Sequence, residues 1–270
     1  MTIAFIGAGN MAGSLIRGLQ AGGYSADDIV AADPAQSQLD ALATLGISTT
    51  VDNAQAVNQA EIVVLAIKPQ ITGDVVQALP ALQPDQLVIS IVAGIDTRSL
   101  GDWLPERQPI VRCMPNTPAL LGAGITGLYA NSWVTDIQRG AAEAILNGVG
   151  SSVWISKESQ LDAVTAVSGS GPAYYFLLME SMIESAQALG LDATASRRLV
   201  VETARGAALM ACEPKADPGT LRRNVTSPGG TTEAALKVMQ EENLDRIIDR
   251  ALGAAKQRAE ALATEFGSKA

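Results

Sequence analysis

Near its start the chain has a glycine-rich turn between an apolar strand and an amphipathic helix, and this arrangement restricts its fold more than any other feature. The apolar run 3–6 leads directly into Gly7-Ala8-Gly9-Asn10-Met11-Ala12, after which apolar residues recur at helical spacing. A strand, a Gly-x-Gly-x-x-Gly/Ala turn and a helix in this order are typical of the first βαβ unit of a dinucleotide-binding sheet. The glycines permit a tight turn and a close approach to a pyrophosphate, and the small Ala12 lets the helix pack on the strand. We expect residues 7–12 to bind a diphosphate; the alternative is a purely structural strand–helix turn.

Strand and helix patterns alternate over residues 1–157. The continuous apolar runs 62–67 and 87–92 are typical of parallel strands that are buried on both faces. Weaker strand patterns near 125–130 and 153–155 extend the predicted sheet. Alternation of this kind predicts an α/β fold with a doubly wound parallel sheet and right-handed crossovers. We therefore assign residues 1–157 to a Rossmann-like dinucleotide-binding domain.

Ligands of such a sheet bind beyond the carboxyl ends of its strands. Several predicted strands end at residues that would meet on this edge, namely Asp33, Lys68, Ala93-Gly94 and Met114-Pro115-Asn116. We expect these residues to line one site. Lys68 has two interpretations, because it either reaches a bound cofactor or marks a solvated strand end before Pro69.

Asp33 bears on which cofactor the site prefers. An acidic residue about 20 positions after the glycine turn commonly bonds the ribose 2′-hydroxyl of NAD. Lys and Arg are absent between Arg17 and Lys68, so no nearby cation is available for a 2′-phosphate. Both observations favour NADH. The alternative is that Asp33 is a turn former before Pro34.

The strand signal disappears after residue 157, and residues 158–270 are predicted to form an all-α domain. Helices are expected over 161–189 with a break at 168–172, and over 193–212, 231–240 and 244–266. The last of these is expected to carry one apolar stripe, which runs from Leu244 through Ile248 to Phe266. The part over 174–189 carries apolar residues on two faces, whereas a surface helix normally has one apolar stripe. Because four helices alone cannot easily cover both faces, we expect this domain to complete its core with a second chain, as a helical homodimer.

The segment 225–233 places a proline, two glycines and several hydroxyl residues before a predicted helix. Glycine permits positive φ and a close backbone approach, and the N–H groups at a helix start can bind an anion. Candidates for binding a carboxylate are therefore Ser227, Gly229, Gly230, Thr231 and Thr232. The alternative is a well-capped helix start with Thr231 as the N-cap residue.

Composition argues against several classes of function. The net charge of −9 and the lack of a dense Lys/Arg cluster argue against nucleic acid or an anionic membrane as partner. Histidine is absent and the two cysteines are too few for a zinc site or a disulfide framework, so we expect no metal. No apolar stretch reaches about eighteen residues, and Met1 leads directly into the first strand. We expect a cytoplasmic protein with reduced cysteines.

Five segments resemble the signature segments of the pyrroline-5-carboxylate reductase family, in the family's order and over essentially the whole chain. They are the runs 5–12, 66–69, 112–118, 167–174 and 227–232. The resemblance implies a dimeric enzyme, often assembled into rings of dimers. Such an enzyme reduces the cyclic imine 1-pyrroline-5-carboxylate to L-proline with NADPH or NADH, in the last step of proline biosynthesis.

The resemblance also implies roles for individual residues. Gly7 to Ala12 would hold the pyrophosphate and Asp33 would lie beside the adenine ribose. The rest of the cofactor would be lined by Asn53, Ala66, Ile67, Lys68, Pro69, Ala93 and Gly94, with Met114, Pro115 and Asn116 near the nicotinamide. The loop 227–232 would bind the substrate carboxylate, with Thr232 as the catalytic residue that orients the imine nitrogen. The family commonly takes NADPH and sometimes binds it through neutral hydrogen-bond donors, a role that Ser37 and Asn53 could serve here. The choice between NADP and NAD therefore stays open.

Two other interpretations compete with this one. Another two-domain NAD(P)-dependent imine or hydroxyacid dehydrogenase would share the order of domains. Alcohol oxidation, however, normally needs a lysine or histidine base on the first interdomain helix, and residues 161–189 contain neither. A non-catalytic NAD(P)-binding sensor would keep the glycine turn but has no need of the Pro-Gly-Gly-Thr-Thr segment.

Overall fold

The computed structural model describes residues 1–213, 215 and 217–267. They divide into two compact units: Met1–Ser170 together with the chain from Ala254 onward, and Gly171–Gly253. We call these the sheet unit and the helical unit, and describe each by itself. The predicted domain boundary between residues 157 and 158 lies inside the sheet unit and stays a prediction.

The sheet unit is built on eight strands in the order β3-β2-β1-β4-β5-β6-β7-β8. The strands are β1 Ile3–Ile6, β2 Ile29–Ala32, β3 Ser48–Thr50, β4 Ile62–Leu65, β5 Leu87–Ser90, β6 Ile110–Met114, β7 Gly124–Ala130 and β8 Gly150–Trp154. The predicted fold class, a Rossmann-like sheet followed by a helical region, is confirmed.

The sequence predicts a parallel sheet, but the observed sheet contains one antiparallel pair of strands. Strand β7 pairs antiparallel with β6, whereas β8 pairs parallel with β7. The reason is the connection between β6 and β7, which contains only a short 3₁₀ turn, Thr117–Leu121. A parallel neighbour needs a crossover of about a dozen residues or more, so the chain turns back instead.

Helices cover both faces of the sheet because successive strand residues point to opposite sides. In β1, Ile3 and Phe5 belong to one core cluster, and Ala4 and Ile6 belong to the other. The helices of this unit are α1 Asn10–Ala21, α2 Gln36–Ala43, α3 Asn53–Val57, α4 Pro69–Gln77, α5 Thr97–Trp103, α6 Asp136–Asn147 and α7 Gln160–Val164.

The helical unit contains the rest of the described helices. They are α8 Gly171–Ala188, α9 Ala193–Ala211, α10 Pro218–Asn224, α11 Thr231–Glu241 and the first part of α12 Leu244–Gly267. The expected break at 168–172 is shorter than predicted: a π-helical turn over Thr165–Gly169 follows α7 directly, and only Ser170 separates this turn from α8. The single apolar stripe expected along α12 is also divided: Ile248 lies in the helical unit and is exposed, whereas Phe266 packs against the sheet core.

Helix α8 leaves a large apolar surface uncovered in one chain. Tyr175, Phe176, Leu177 and Leu178 are each at least half exposed, and Met182 is 45% exposed. An exposed apolar area of this kind marks an interaction surface. None of the described helices combines the length and apolar character needed to cross a bilayer.

Candidate active site

The glycine turn has the geometry that its sequence predicts. Gly7 has φ +98°, and a Cβ atom there would lie 2.5 Å from the carbonyl oxygen of Ala66. Its N–H donates to the Ala32 carbonyl at 2.8 Å, while Ala66 N–H donates to the Ile6 carbonyl at 2.8 Å. These bonds hold the carboxyl ends of β1, β2 and β4 together, and no residue with a side chain fits at Gly7.

Helix α1 starts with an unobstructed amino end. Its N-cap residue is Gly9, which has no side chain to accept the first helical N–H groups. A Cβ atom added to Gly9 meets no other atom within 4 Å, so the space above the turn is open. Unpaired N–H groups and the partial positive charge of a helix start bind phosphate oxygens. Residues Gly7 to Ala12 can therefore hold a diphosphate.

Asp33 joins the end of β2 to this turn. One carboxylate oxygen accepts the Ala8 N–H at 2.9 Å, and the other accepts the Ala35 N–H at 2.8 Å. Asp33 thus has the turn-forming role that the sequence left open. A carboxylate has about four acceptor positions, so these two bonds still leave capacity for a ribose hydroxyl.

The ends of β4 and β5 lie on the same edge of the sheet. Lys68 is exposed and forms the N-cap of α4, with Pro69 as the first helical residue. Gly94 has φ +74°, and a Cβ atom there would lie 3.3 Å from the backbone of Leu262 in α12. The end of α12 therefore packs on the carboxyl end of β5.

Asn53, which was also expected to line the cofactor, is the first residue of α3 and is half-buried.

Of the three residues expected near a nicotinamide, only Met114 is partly exposed; Pro115 and Asn116 are buried. The side chain of Asn116 donates to the Ser168 carbonyl at 3.2 Å and accepts the Ile125 N–H at 3.0 Å. Asn116 therefore links the end of β6 to the start of β7 and to the π-helical turn. Such turns occur frequently at functional sites.

A partly buried ion pair next to this edge was not predicted from the sequence. Arg112 on β6 lies 3.3 Å from Glu158, whose carboxylate also accepts the N–H and hydroxyl of Thr97 at 2.7 and 2.6 Å. The charged Arg112 within an otherwise apolar strand is the sequence signal that predicts such a partner.

Two neighbouring groups have shifted pKa values. Burial raises the pKa of the Asp162 carboxyl, and the positive charge of Arg112 opposes this shift. Burial likewise raises the pKa of the Cys113 thiol, which keeps it protonated.

The second candidate site lies in the helical unit, at the start of α11. Gly229 has φ +70°, and the N-cap residue of α11 is Gly230, not Thr231 as the capping interpretation required. The Gly230 N–H donates to the Ser227 carbonyl at 3.0 Å and closes a tight turn. Among the described residues, nothing accepts a hydrogen bond from the N–H groups of Thr231 and Thr232. We call the segment Ser227–Thr232 the anion loop.

A cavity of about 610 Å³ in the helical unit includes part of the anion loop. Gly229, Gly230 and Glu233 line it, together with the basic side chains of Arg222, Arg223 and Lys237. Arg223 lies 3.9 Å from Asp217, and Lys237 lies 3.8 Å from Glu241. These contacts are long and exposed, and ion pairs of this kind contribute little. In the described part of the chain, no three acidic, cysteine or histidine side chains are grouped as a metal site.

Known proteins match the chain over nearly its whole length. Residues 158–262 match the family description "Pyrroline-5-carboxylate reductase dimerisation", and residues 2–94 match "NADP oxidoreductase coenzyme F420-dependent". Pyrroline-5-carboxylate reductases of Pseudomonas aeruginosa and Haemophilus influenzae are 51% and 42% identical, each match covering 98% of both chains.

Solved structures agree with these relatives. A pyrroline-5-carboxylate reductase from Coxiella burnetii is 42% identical, with a TM-score of 0.93 over 97% of this chain and 98% of that one. The Plasmodium falciparum enzyme, solved with NADP bound, is 27% identical, with a TM-score of 0.85 over the same shares. The glycine turn, the anion loop and this full-length similarity together show that the chain belongs to the pyrroline-5-carboxylate reductase family.

Proposed function

We propose that this chain reduces 1-pyrroline-5-carboxylate to L-proline with a reduced nicotinamide dinucleotide, in the last step of proline biosynthesis. The observation that carries the proposal is the presence of two anion sites made of backbone amides. One is the glycine turn of the sheet unit, suited to a diphosphate, and the other is the anion loop of the helical unit, suited to a carboxylate. The substrate and the cofactor supply one group each.

The cofactor fits the sheet edge residue by residue. Gly7 to Ala12 hold the diphosphate, Asp33 lies beside the adenine ribose, and Asn53, Ala66 to Pro69, Ala93 and Gly94 line the remaining length. Met114, the partly exposed residue of its segment, lies near the nicotinamide, while Pro115 and Asn116 support it from beneath. The nicotinamide supplies the hydride when it is bound.

The substrate needs orientation more than acid catalysis. Imines are much more basic than carbonyls, so the ring nitrogen can arrive already protonated, and the absence of histidine is no obstacle. The anion loop binds the substrate carboxylate through Ser227, Gly229, Gly230 and Thr231, and the Thr232 hydroxyl contacts the ring nitrogen. Fixing the imine carbon in line with the hydride donor accounts for most of the rate.

The proposal is tested by adding 1-pyrroline-5-carboxylate and NADPH or NADH to the purified protein. We expect the cofactor to be oxidised and L-proline to be formed in equal amounts. Comparing kcat/KM for the two cofactors determines which is preferred. Binding without turnover would support a nucleotide sensor, and turnover of a hydroxyacid alone would support a different dehydrogenase; either result contradicts the proposal.

The chain self-associates through its dimerisation region, residues 158–262. We further infer that these homodimers assemble into rings, as the family resemblance implies. We also place the protein in the cytoplasm, where its free Cys113 and Cys212 would stay reduced. Light scattering at several concentrations tests the assembly, because a ring of dimers requires a mass that is a multiple of the dimer mass.

A further inference from the structure

The anion loop already holds a carboxylate, and this carboxylate belongs to the protein itself. Glu233 Oε2 accepts the Gly229 N–H at 2.7 Å. We propose that Glu233 is an internal competitor of the substrate: it occupies the Gly229 amide until the substrate carboxylate displaces it. The charge of Glu233 then limits the affinity for the substrate. This inference rests on the proposed function.

The bond is not the usual capping interaction of a helix. In a capping box, the third helical residue bonds the N–H of the N-cap residue. Here Glu233 is the third residue of α11, but the N–H of the N-cap residue Gly230 already donates to Ser227. Glu233 instead reaches one residue further, to the amide of Gly229, which is part of the predicted carboxylate site.

Glu233 and the substrate carboxylate are attracted by the same features. Both are favoured by the N–H groups of the loop and by the partial positive charge at the start of α11. Two carboxylates in one small loop repel each other. Binding of the substrate therefore requires that Glu233 move away or that its charge be balanced.

The structure offers the displaced side chain a new partner. Lys237 lies four residues after Glu233 on α11 and lines the same cavity. A glutamate four residues before a lysine is the more favourable orientation of such a pair. Among the described residues, Lys237 lies 3.8 Å from Glu241, a pair in the less favourable orientation. Displaced Glu233 can therefore pair with Lys237.

The decisive variant is Glu233→Gln, which removes the charge and keeps a hydrogen-bond acceptor at an exposed position. We expect KM for 1-pyrroline-5-carboxylate and the inhibition constant of L-proline to fall by about two- to fivefold, with kcat unchanged. Glu242→Gln, which removes the same charge at the other end of α11, should leave both constants unchanged. A constant or higher KM in Glu233→Gln would overturn the proposal.

Two further measurements separate competition from a general effect on the loop. Unsubstituted 1-pyrroline has no carboxylate, so Glu233→Gln should not change its KM; an equal fall for this substrate would overturn the proposal. Lys237→Gln should raise KM for the carboxylate substrate when Glu233 is present, but not in the Glu233→Gln background. An equal rise in both backgrounds would show that Lys237 attracts the substrate directly, which overturns its role as partner of Glu233.

These results are distinguishable from a failure of the proposed function. If the wild-type chain does not reduce 1-pyrroline-5-carboxylate, the proposed function itself fails. If the wild-type chain is active but Glu233→Gln has the wild-type KM, only the role of Glu233 is contradicted.

Discussion

At the scale of single residues, Asp33 has two roles: its carboxylate accepts backbone hydrogen bonds, and its negative charge would lie beside a bound cofactor. The Asp33 carboxylate accepts hydrogen bonds from the N–H groups of Ala8 and Ala35, and these bonds fix the side chain at the end of β2. A 2′-phosphate beside this carboxylate would be repelled, whereas a 2′-hydroxyl could donate to it.

Asp33→Asn should therefore shift the cofactor preference. We expect the ratio of kcat/KM for NADPH to that for NADH to rise by about tenfold, because one like-charge contact is removed. The free energy of unfolding should fall by about 1 kcal/mol, since the amide side chain cannot accept both N–H groups equally well. Asp28→Asn, at the opposite end of β2, is the matched control. An unchanged ratio would mean that the 2′ position lies away from Asp33.

Thr232→Ala tests the catalytic role given to a hydroxyl. We expect kcat to fall by about ten- to a thousandfold, as for the loss of one positioned group. Thr231→Ala is the matched control, because it keeps the backbone N–H and removes a hydroxyl that is more exposed; its kcat should change much less. If Thr232→Ala keeps the wild-type kcat, the hydroxyl has no part in orienting the imine.

Sequence patterns predicted the glycine turn and the strand ends better than they predicted the contacts between side chains. The glycine turn and the strand ends could be placed because backbone conformation limits which residues occur there. The Gly229–Glu233 bond and the N-cap at Gly230 could not, since Thr231 and Glu233 both suit a helix start. Which side chain occupies a loop depends on distances that only the folded backbone determines.

At the scale of elements, the π-helical turn over Thr165–Gly169 depends on the end of β6. Asn116 supplies the link through its bonds to Ser168 and Ile125. Asn131 makes a similar link at the other end of β6, where it accepts the Ile110 N–H and donates to the Gln108 carbonyl. The two asparagines therefore offer a matched pair of substitutions.

We expect Asn116→Ala and Asn131→Ala each to lower the free energy of unfolding by about 1–3 kcal/mol, because each leaves a backbone amide without its partner. Only Asn116→Ala should also weaken cofactor binding, since only this link lies beside the predicted nicotinamide position. Urea denaturation and cofactor titration by fluorescence measure the two effects. Equal cofactor affinities in the two variants would separate Asn116 from the site.

Asp162 on α7 should give the stability a specific pH dependence. Burial raises the pKa of its carboxyl, opposed by Arg112 and Lys256 and reinforced by Glu260 and Glu158. The folded state thus holds this proton to higher pH than the unfolded state, and its contribution is lost as pH rises through the folded pKa. Asp162→Asn should raise the urea midpoint at neutral pH but not below about pH 3.9. Asp74→Asn, at an exposed position on α4, should leave the urea midpoint unchanged at both pH values. If the urea midpoints of Asp162→Asn and the wild type differ by the same amount at all pH values, the prediction is contradicted.

Long helices could be predicted, whereas two short helices could not. Helices α9, α11 and α12 were expected within a few residues of their observed bounds, because their apolar residues repeat over several turns. Helices α5 and α10 span seven residues each, too few for a periodic pattern. The direction of β7 was also missed, because alternation of side chains is the same in parallel and antiparallel strands.

At the scale of the whole molecule, the exposed apolar residues of α8 lie within the dimerisation region, residues 158–262, and we expect them to form the interface. Leu178→Asp places a charge among the exposed apolar residues 175–178, and burying an unpaired charge is costly. We expect this variant to have the mass of a 27.9 kDa monomer in light scattering and to lose activity. Ile137→Asp, a change at an 86% exposed position on α6, should keep the wild-type mass. A dimeric Leu178→Asp variant would place the interface elsewhere.

Self-association could be predicted from the two apolar faces of α8, since each face must pack against another element. The division of α12 was not, because an apolar stripe does not record which neighbour covers it. Ile248 and Phe266 continue one stripe in the sequence, yet they belong to different units.

Both proposed anion sites begin with a glycine as the N-cap residue, at Gly9 and Gly230. The binding groups are then backbone N–H groups, which every amino acid except proline carries. Alanine scanning would leave them intact and would underestimate their importance. Replacing single peptide bonds with esters, which lack the nitrogen-bound hydrogen, is the experiment that would reveal how much of the affinity they provide.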